Sequence, residues 1–231
     1  MIDYKNLKAV VIDTVDKKRD LLEEIAQYLY DNPELGSEEF LAFEKLTEIL
    51  EEEGFDIEKG VYDMPTAFVA RIKGKSSGPK VAVLAEYDAL PGVGHGCGHN
   101  LIAASAVGAG IGAKEVIHEL SGEVLVVGTP AEEGHGPSAG SKVIMAEGGF
   151  FDDVDAVIML HPSSGWGVGN QSLGISRIDM TFKGQTSHAA ASPHRGKNAL
   201  NAATLCYMAT HMLRQEARRD ANLVIHGIIS E

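Results

Sequence analysis

Continuous apolar runs alternating with helix-length segments predict an α/β protein. The expected core is a mostly parallel sheet with helices on both faces, followed by a smaller, incomplete α+β unit. Three observations carry this. Val81-Ala-Val-Leu-Ala85, Glu123-Val-Leu-Val-Val-Gly128 and Asp155-Ala-Val-Ile-Met-Leu160 are short runs without polar alternation, as strands covered on both faces require. Helical patterns fall between them, which makes parallel strands joined by right-handed crossovers the expected connection. Near residue 170 the pattern changes to alternation, so the domain boundary is placed at 1–172 and 173–231.

Taken in order, Leu21, Leu22, Ile25, Tyr28 and Leu29 recur at helical spacing within residues 17–31, and Asn32-Pro33 ends that helix. A second helix is expected from Ser37, read as its cap, to Glu53, before Gly54. Residues 61–73 read as a strand and 81–85 as a buried one. The small apolar residues of 101–118 suit a helix packed closely on a sheet. Residues 123–128 form another buried strand, 138–147 a short helix, and 155–160 a third buried strand. Beyond the boundary, Ile175-Ser-Arg-Ile-Asp-Met-Thr-Phe-Lys183 alternates like a strand with one wet face. A helix over about 197–218 and a strand over 222–229 follow.

Composition narrows the function. The chain has 231 residues, 44% of them hydrophobic, enough to bury a sizeable core. A net charge of −13 disfavours nucleic acid or an anionic membrane as partner. Two cysteines, Cys97 and Cys206, cannot make a disulfide framework, so a reducing, cytoplasmic location is expected. The early acidic residue and lack of a long apolar run argue against a signal peptide, and no uninterrupted apolar stretch reaches membrane-span length.

Each apolar strand is followed by reactive side chains. Asp88, His95, Cys97 and His99 follow the first, Glu132 and Glu133 the second, and His161 the third. Ligands of open parallel sheets bind beyond the carboxyl ends of the strands, so these residues should share one crevice. Thiolate, imidazole and carboxylate are zinc-type ligands. Paired glutamates suit a division in which one holds metal and the other moves protons. Asp88 and His95 would orient ligands through hydrogen bonds. Three other readings stay open. Cys97 could be a small core residue, as Cys206 is expected to be in its helix. Cys97 could instead be a nucleophile activated by His99 or His161. The chain could also hold metal without catalysing anything. A phosphate loop is excluded, since neither 92–100 nor 134–141 fits Gly-X-Gly-X-X-Gly.

The runs EYDALPGVGHGCGHN (86–100), GTPAEEG (128–134) and DAVIMLHP (155–162), with FKGQTSHAAASPHRGKNA (182–199), resemble the metal-dependent amidohydrolases of the M20 peptidase family. The likeness is greatest to the branch of auxin-conjugate hydrolases, aminobenzoyl-glutamate hydrolases and M20-domain dipeptidases. It implies a zinc-exopeptidase-like catalytic domain and a lid or dimerisation domain, and hydrolysis of small N-acyl amino acids or dipeptides. It also implies up to two zinc or manganese ions per chain, with Cys97 bridging and His99, Glu133 and His161 as further ligands. Glu132 matches the base, Asp88 a supporting aspartate, and His188 a lid histidine that steadies the oxyanion in a homodimer. Asn100 departs from the aspartate of many relatives. The resemblance further implies a histidine ligand beyond residue 231, for which His226 is no substitute, so a shortened chain is expected.

Overall fold

In the computed structural model, which describes residues 3–169, 174 and 176–230, the chain divides into two compact units, Met1–Gly165 and Trp166–Glu231. The first is built on a five-stranded sheet. Its strands are β1 (Asp56–Lys59), β2 (Phe68–Lys73), β3 (Lys80–Ala85), β4 (Glu123–Gly128) and β5 (Ala156–Ile158), in the order β1-β2-β4-β3-β5. The three strands read from apolar runs are parallel: β3 lies between β4 and β5, with Ala82 beside Leu125 on one side and Val157 on the other. The expectation of a mostly parallel sheet needs one correction, because β2 pairs antiparallel with β4 and β1 antiparallel with β2. The sheet is mixed.

Helices cover both faces, as expected. Alternation along β2 sends Phe68, Ala70 and Ile72 to one face and Val69 to the other. The first face packs against α2 (Arg19–Asp31) through Ile25 and Leu29, α3 (Phe40–Glu52) through Leu46 and Leu50, and α4 (His99–Ile117) through Ala103, Val107 and Ile111. The second packs Val69, Ala82, Leu125 and Val127 against Met145 of α5 (Ser141–Glu147). Helix α4 is long and apolar enough to cross a membrane by length and composition alone, yet most of it is buried within this unit. Gly110 explains how closely it lies: a Cβ there would stand 2.5 Å from Cγ2 of Val126.

Several expectations change. A helix not expected, α1 (Tyr4–Lys17), packs on α4. Residues 61–73 split into a 3-10 turn at Val61–Asp63 and β2, because Tyr62 and Asp63 take positive φ. Ser37 is not a helix cap. Its φ of 70° turns the chain, and its hydroxyl donates to the His135 carbonyl and accepts from the Ser138 N–H. The start of α3 is instead satisfied by the Glu34 carboxylate, which accepts from the N–H groups of Leu41 and Ala42. The expectation of a buried β5 is also corrected: all three of its residues are exposed, since only β3 flanks it.

In the second unit α6 (Ala199–Met212) replaces the longer helix expected over 197–218, capped by the Asn198 side chain, which accepts from the Asn201 N–H. A short 3-10 turn at Leu213–Gln215 follows α6. Among the described residues, 176–183 and 222–229 join no β-ladder, contrary to the two strands expected there; Ile175 lies outside the described residues. Gln185 and Lys197 instead exchange a pair of backbone hydrogen bonds of 2.9 Å. Cys206 lies half-buried on α6, its thiol 3.6 Å from the Met180 sulfur.

Candidate metal centre

Three loops leave the carboxyl ends of β3, β4 and β5 and carry residues 86–98, 129–140 and 159–162 to one place. His99 opens α4 immediately after Gly98, whose φ of 85° turns the chain between Cys97 and His99. A Cβ at Gly98 would also stand 2.9 Å from Cγ of Pro162, so glycine permits both the turn and the approach of the His161 loop. The loop after β4 is tied down from α3. The buried Glu39 carboxylate accepts from the Ala131 N–H at 2.7 Å and the Thr66 hydroxyl at 3.0 Å. These bonds hold Ala131 at a φ of 55°, immediately before Glu132.

The imidazole of His99 is fully buried and its orientation is set by Asp88. Nδ1 lies 2.9 Å from Oδ1 of Asp88 and 3.0 Å from its carbonyl oxygen; both are acceptors, so in the neutral ring Nδ1 carries the hydrogen and Nε2 a lone pair. The other Asp88 oxygen accepts from the Glu133 N–H at 2.9 Å. One carboxylate thus positions both a ring and the glutamate loop. At His161 the same logic recurs. Nδ1 donates to the Pro162 carbonyl at 2.8 Å, leaving the Nε2 lone pair 3.6 Å from Sγ of Cys97.

Around Nε2 of His99 stand Oε2 of Glu86 at 3.4 Å, Oε2 of Glu132 at 3.7 Å and Oε1 of Glu133 at 3.8 Å. The donor atoms of Cys97, His99 and His161 lie within 4.8 Å of one another, and so do those of Glu86, His99 and Glu132. Among the described residues, Nε2 of His99, Oε2 of Glu86 and Oε1 of Glu133 are buried without a hydrogen-bond partner. A lone pair facing carboxylate oxygens is repulsive and costs several kcal/mol in a low-dielectric setting. A cation removes that cost. The spacing fits as well: zinc bonds of about 2.3 Å to sulfur and 2.0–2.1 Å to nitrogen or oxygen place tetrahedral ligands roughly 3.3–3.6 Å apart. The donor set is chemically and spatially suited to a divalent metal.

Electrostatics weigh against an unaided nucleophile at Cys97. Burial, and then the carboxylates of Glu133, Glu132 and Glu86, push its thiol up to about 11, the reverse of an activated cysteine. Burial first, then Glu86, raise the Glu132 carboxyl above its ordinary value, with Lys142 opposing. For Asp88 burial pushes upward, but the hydrogen bonds from His99 and Glu133 outweigh it and keep the carboxyl low.

Two expected residues need separate description. His95 is buried, and burial lowers its pKa below the ordinary value; among the described residues no hydrogen bond links it to a ligand, and its Nδ1 is unpartnered. Its orienting role has no contact behind it. His188 lies in the second unit, where its Nδ1 accepts from the N–H groups of Ala190 and Ala191. Two participants were not foreseen: Glu86, directly after β3, and Lys142, in the first turn of α5, whose Nζ pairs with Oε1 of Glu86 and lies 3.8 Å from Oε1 of Glu132. Glu86 opens the motif containing Asp88, a signal available in the sequence. Lys142 had none.

Residues 82–226 match the peptidase family M20/M25/M40. The chain belongs to this family. It is 37% identical over 224 residues to a p-aminobenzoyl-glutamate hydrolase polypeptide of Escherichia coli, covering 88% of this chain and 45% of that protein. Against the Xaa-Arg dipeptidase of Mus musculus it is 36% identical over 235 residues, 96% of this chain and 53% of the relative. The crystal structure of a dinuclear metal-binding M20 peptidase from Bacillus subtilis superposes with a TM-score of 0.55 at 30% identity, covering 62% of this chain and 42% of that one. The chain spans about half the length of the curated relatives it matches.

Proposed function

We propose that this M20 chain contributes a divalent-metal site that hydrolyses the amide bond of small N-acyl amino acids or dipeptides. The observation that carries the reading is the buried, unpartnered Nε2 of His99, facing carboxylates beside the Cys97–His161 pair. Cys97, His99, His161 and Glu133 would hold up to two ions, and thiolate softness favours zinc over manganese. When bound, the metal supplies Lewis-acid polarisation of the carbonyl and a water of lowered pKa.

The chain's own residues do the rest. Glu132 has a side chain 36% exposed, so its carboxylate can reach water that the buried Glu86 cannot. Its raised pKa suits a base that accepts the water's proton and returns it to the leaving amine. Asp88 holds His99 in the tautomer that offers Nε2, and Glu39 fixes the turn that aims Glu132. His188, in the second unit, is assigned to stabilise the tetrahedral oxyanion across a homodimer formed through that lid-like unit. The free thiols of Cys97 and Cys206 accord with a cytoplasmic protein.

The test is a hydrolysis screen of N-acyl amino acids and dipeptides with zinc or manganese present, beside metal analysis. It uses the chain alone and the chain mixed with the second half of a full-length relative. Chelation should abolish turnover, and Glu132→Gln should remove it while metal stays bound. Full activity of Glu132→Gln would refute the base assignment. Bound metal with no turnover in either setting would leave a metal-binding protein and overturn the hydrolase reading.

A further inference from the structure

We propose that Glu86 is itself a metal ligand, held in place by Lys142. This rests on the reading of the centre as a metal site. Glu86 follows the last residue of β3, and its side chain is 1% exposed. Its two oxygens face different partners. Oε1 accepts from the ammonium of Lys142, while Oε2 has no hydrogen-bond partner among the described residues and points at Nε2 of His99, 3.4 Å away.

Two explanations other than a cation fail on geometry. A neutral His99 cannot donate from Nε2, because Asp88 holds the ring hydrogen on Nδ1, and an imidazolium would draw Oε2 to about 2.7–2.9 Å, nearer than the 3.4 Å found. A proton on Oε2 shared with Nε2 would draw the atoms to within about 3.0 Å. Two buried acceptors therefore face each other at a separation close to the roughly 3.3–3.4 Å of two ligands on one tetrahedral zinc. Of the three carboxylates around Nε2, Glu86 is nearest and most buried.

Lys142 explains the arrangement. Its ammonium binds Oε1 of Glu86 and stands 3.8 Å from Oε1 of Glu132, so Oε2 of each carboxylate turns towards His99. The exposed member, Glu132, remains free to meet water. The enclosed one, Glu86, faces only the ion. Lys142 is thus a positioning residue that separates the two roles.

The experiment titrates the full chain with cobalt(II), following affinity by calorimetry and coordination by the visible and thiolate charge-transfer absorption. Glu86→Gln should weaken binding at least about tenfold and alter the visible bands, while the charge-transfer band reports Cys97 still bound. A purely structural ion pair makes a different prediction, tested by the double variant Glu86→Gln/Lys142→Met, which removes both charges together. The proposal expects the double variant to bind as weakly as Glu86→Gln. Affinity restored to the parent value would make the pair structural and overturn it, as would a Glu86→Gln protein that binds like the parent. Should Glu86→Gln fail to fold by circular dichroism, the double variant carries the decision. A parent chain that binds no cobalt would overturn the metal-site reading itself, an outcome distinct from a parent that binds and is indifferent to Glu86.

Discussion

Asp88→Asn is the most informative single substitution, because it keeps the shape of a group that receives two donors. Oδ1 faces the Nδ1 hydrogen of His99 and Oδ2 the Glu133 N–H, both at 2.9 Å. An amide can accept from one and must present its own NH2 to the other. If the NH2 faces His99, the ring is driven to the tautomer whose Nε2 carries hydrogen and cannot bind metal. If it faces Glu133, two donors oppose each other in a buried setting and the glutamate loop must move. Losing one charge-assisted bond and stranding one donor costs about 2–4 kcal/mol. For a chain of this size that lowers the melting temperature by about 4–16 °C. Metal affinity should fall about 10–100-fold, as when the partner of a metal-bound histidine is removed. Calorimetric zinc titration and thermal melts in chelator read both effects. Unchanged melting and parental zinc affinity in Asp88→Asn would refute the claim that this carboxylate sets the ring.

Three further outcomes follow from the same geometry. With the Cys97 thiol up at about 11, zinc binding must displace a proton, and affinity should climb about tenfold per pH unit between roughly pH 7 and 9. The climb steepens at lower pH: burial depresses His99, but Asp88 outweighs it and holds the imidazole above its usual value, adding a second proton to displace. Titration in buffers of different ionisation enthalpy checks this, and a flat pH profile contradicts it. Gly98→Ala should weaken metal binding more than it lowers stability, since a side chain there is strained at positive φ and displaces Pro162 beside His161; zinc affinity and melting temperature compared on one variant decide it. Glu39→Ala strands the Ala131 N–H and the Thr66 hydroxyl and should destabilise the chain by about 2–4 kcal/mol, while Glu39→Gln, which keeps an acceptor, costs less; denaturant melts separate the two.

The parallel centre of the sheet was legible because β3, β4 and β5 are apolar without interruption and each precedes a polar cluster. Their ends alone bring Cys97, His99, Glu133 and His161 together. Other features depend on tertiary partners. The antiparallel β1 and β2 leave no local mark distinguishing them from further parallel strands. Helix α1 did carry a signal, for Leu7, Val10, Val11, Thr14 and Val15 recur at helical spacing on its least exposed side. The consecutive β-branched residues at 10–12 hide that period. Ser37 has the chemistry of a helix cap but serves a loop about a hundred residues away, while Glu34 does the capping. Lys142 was invisible for the same reason: its partner lies 56 positions earlier, and only the fold makes them neighbours.

The central claim is that one cation sits among Sγ of Cys97, Nε2 of His99 and Nε2 of His161, with carboxylate support. Anomalous diffraction from crystals grown with zinc tests it most directly. A peak within about 2.0–2.3 Å of those three atoms is the expected result. Zinc bound elsewhere, at a distance from Nε2 of His99, would contradict the account.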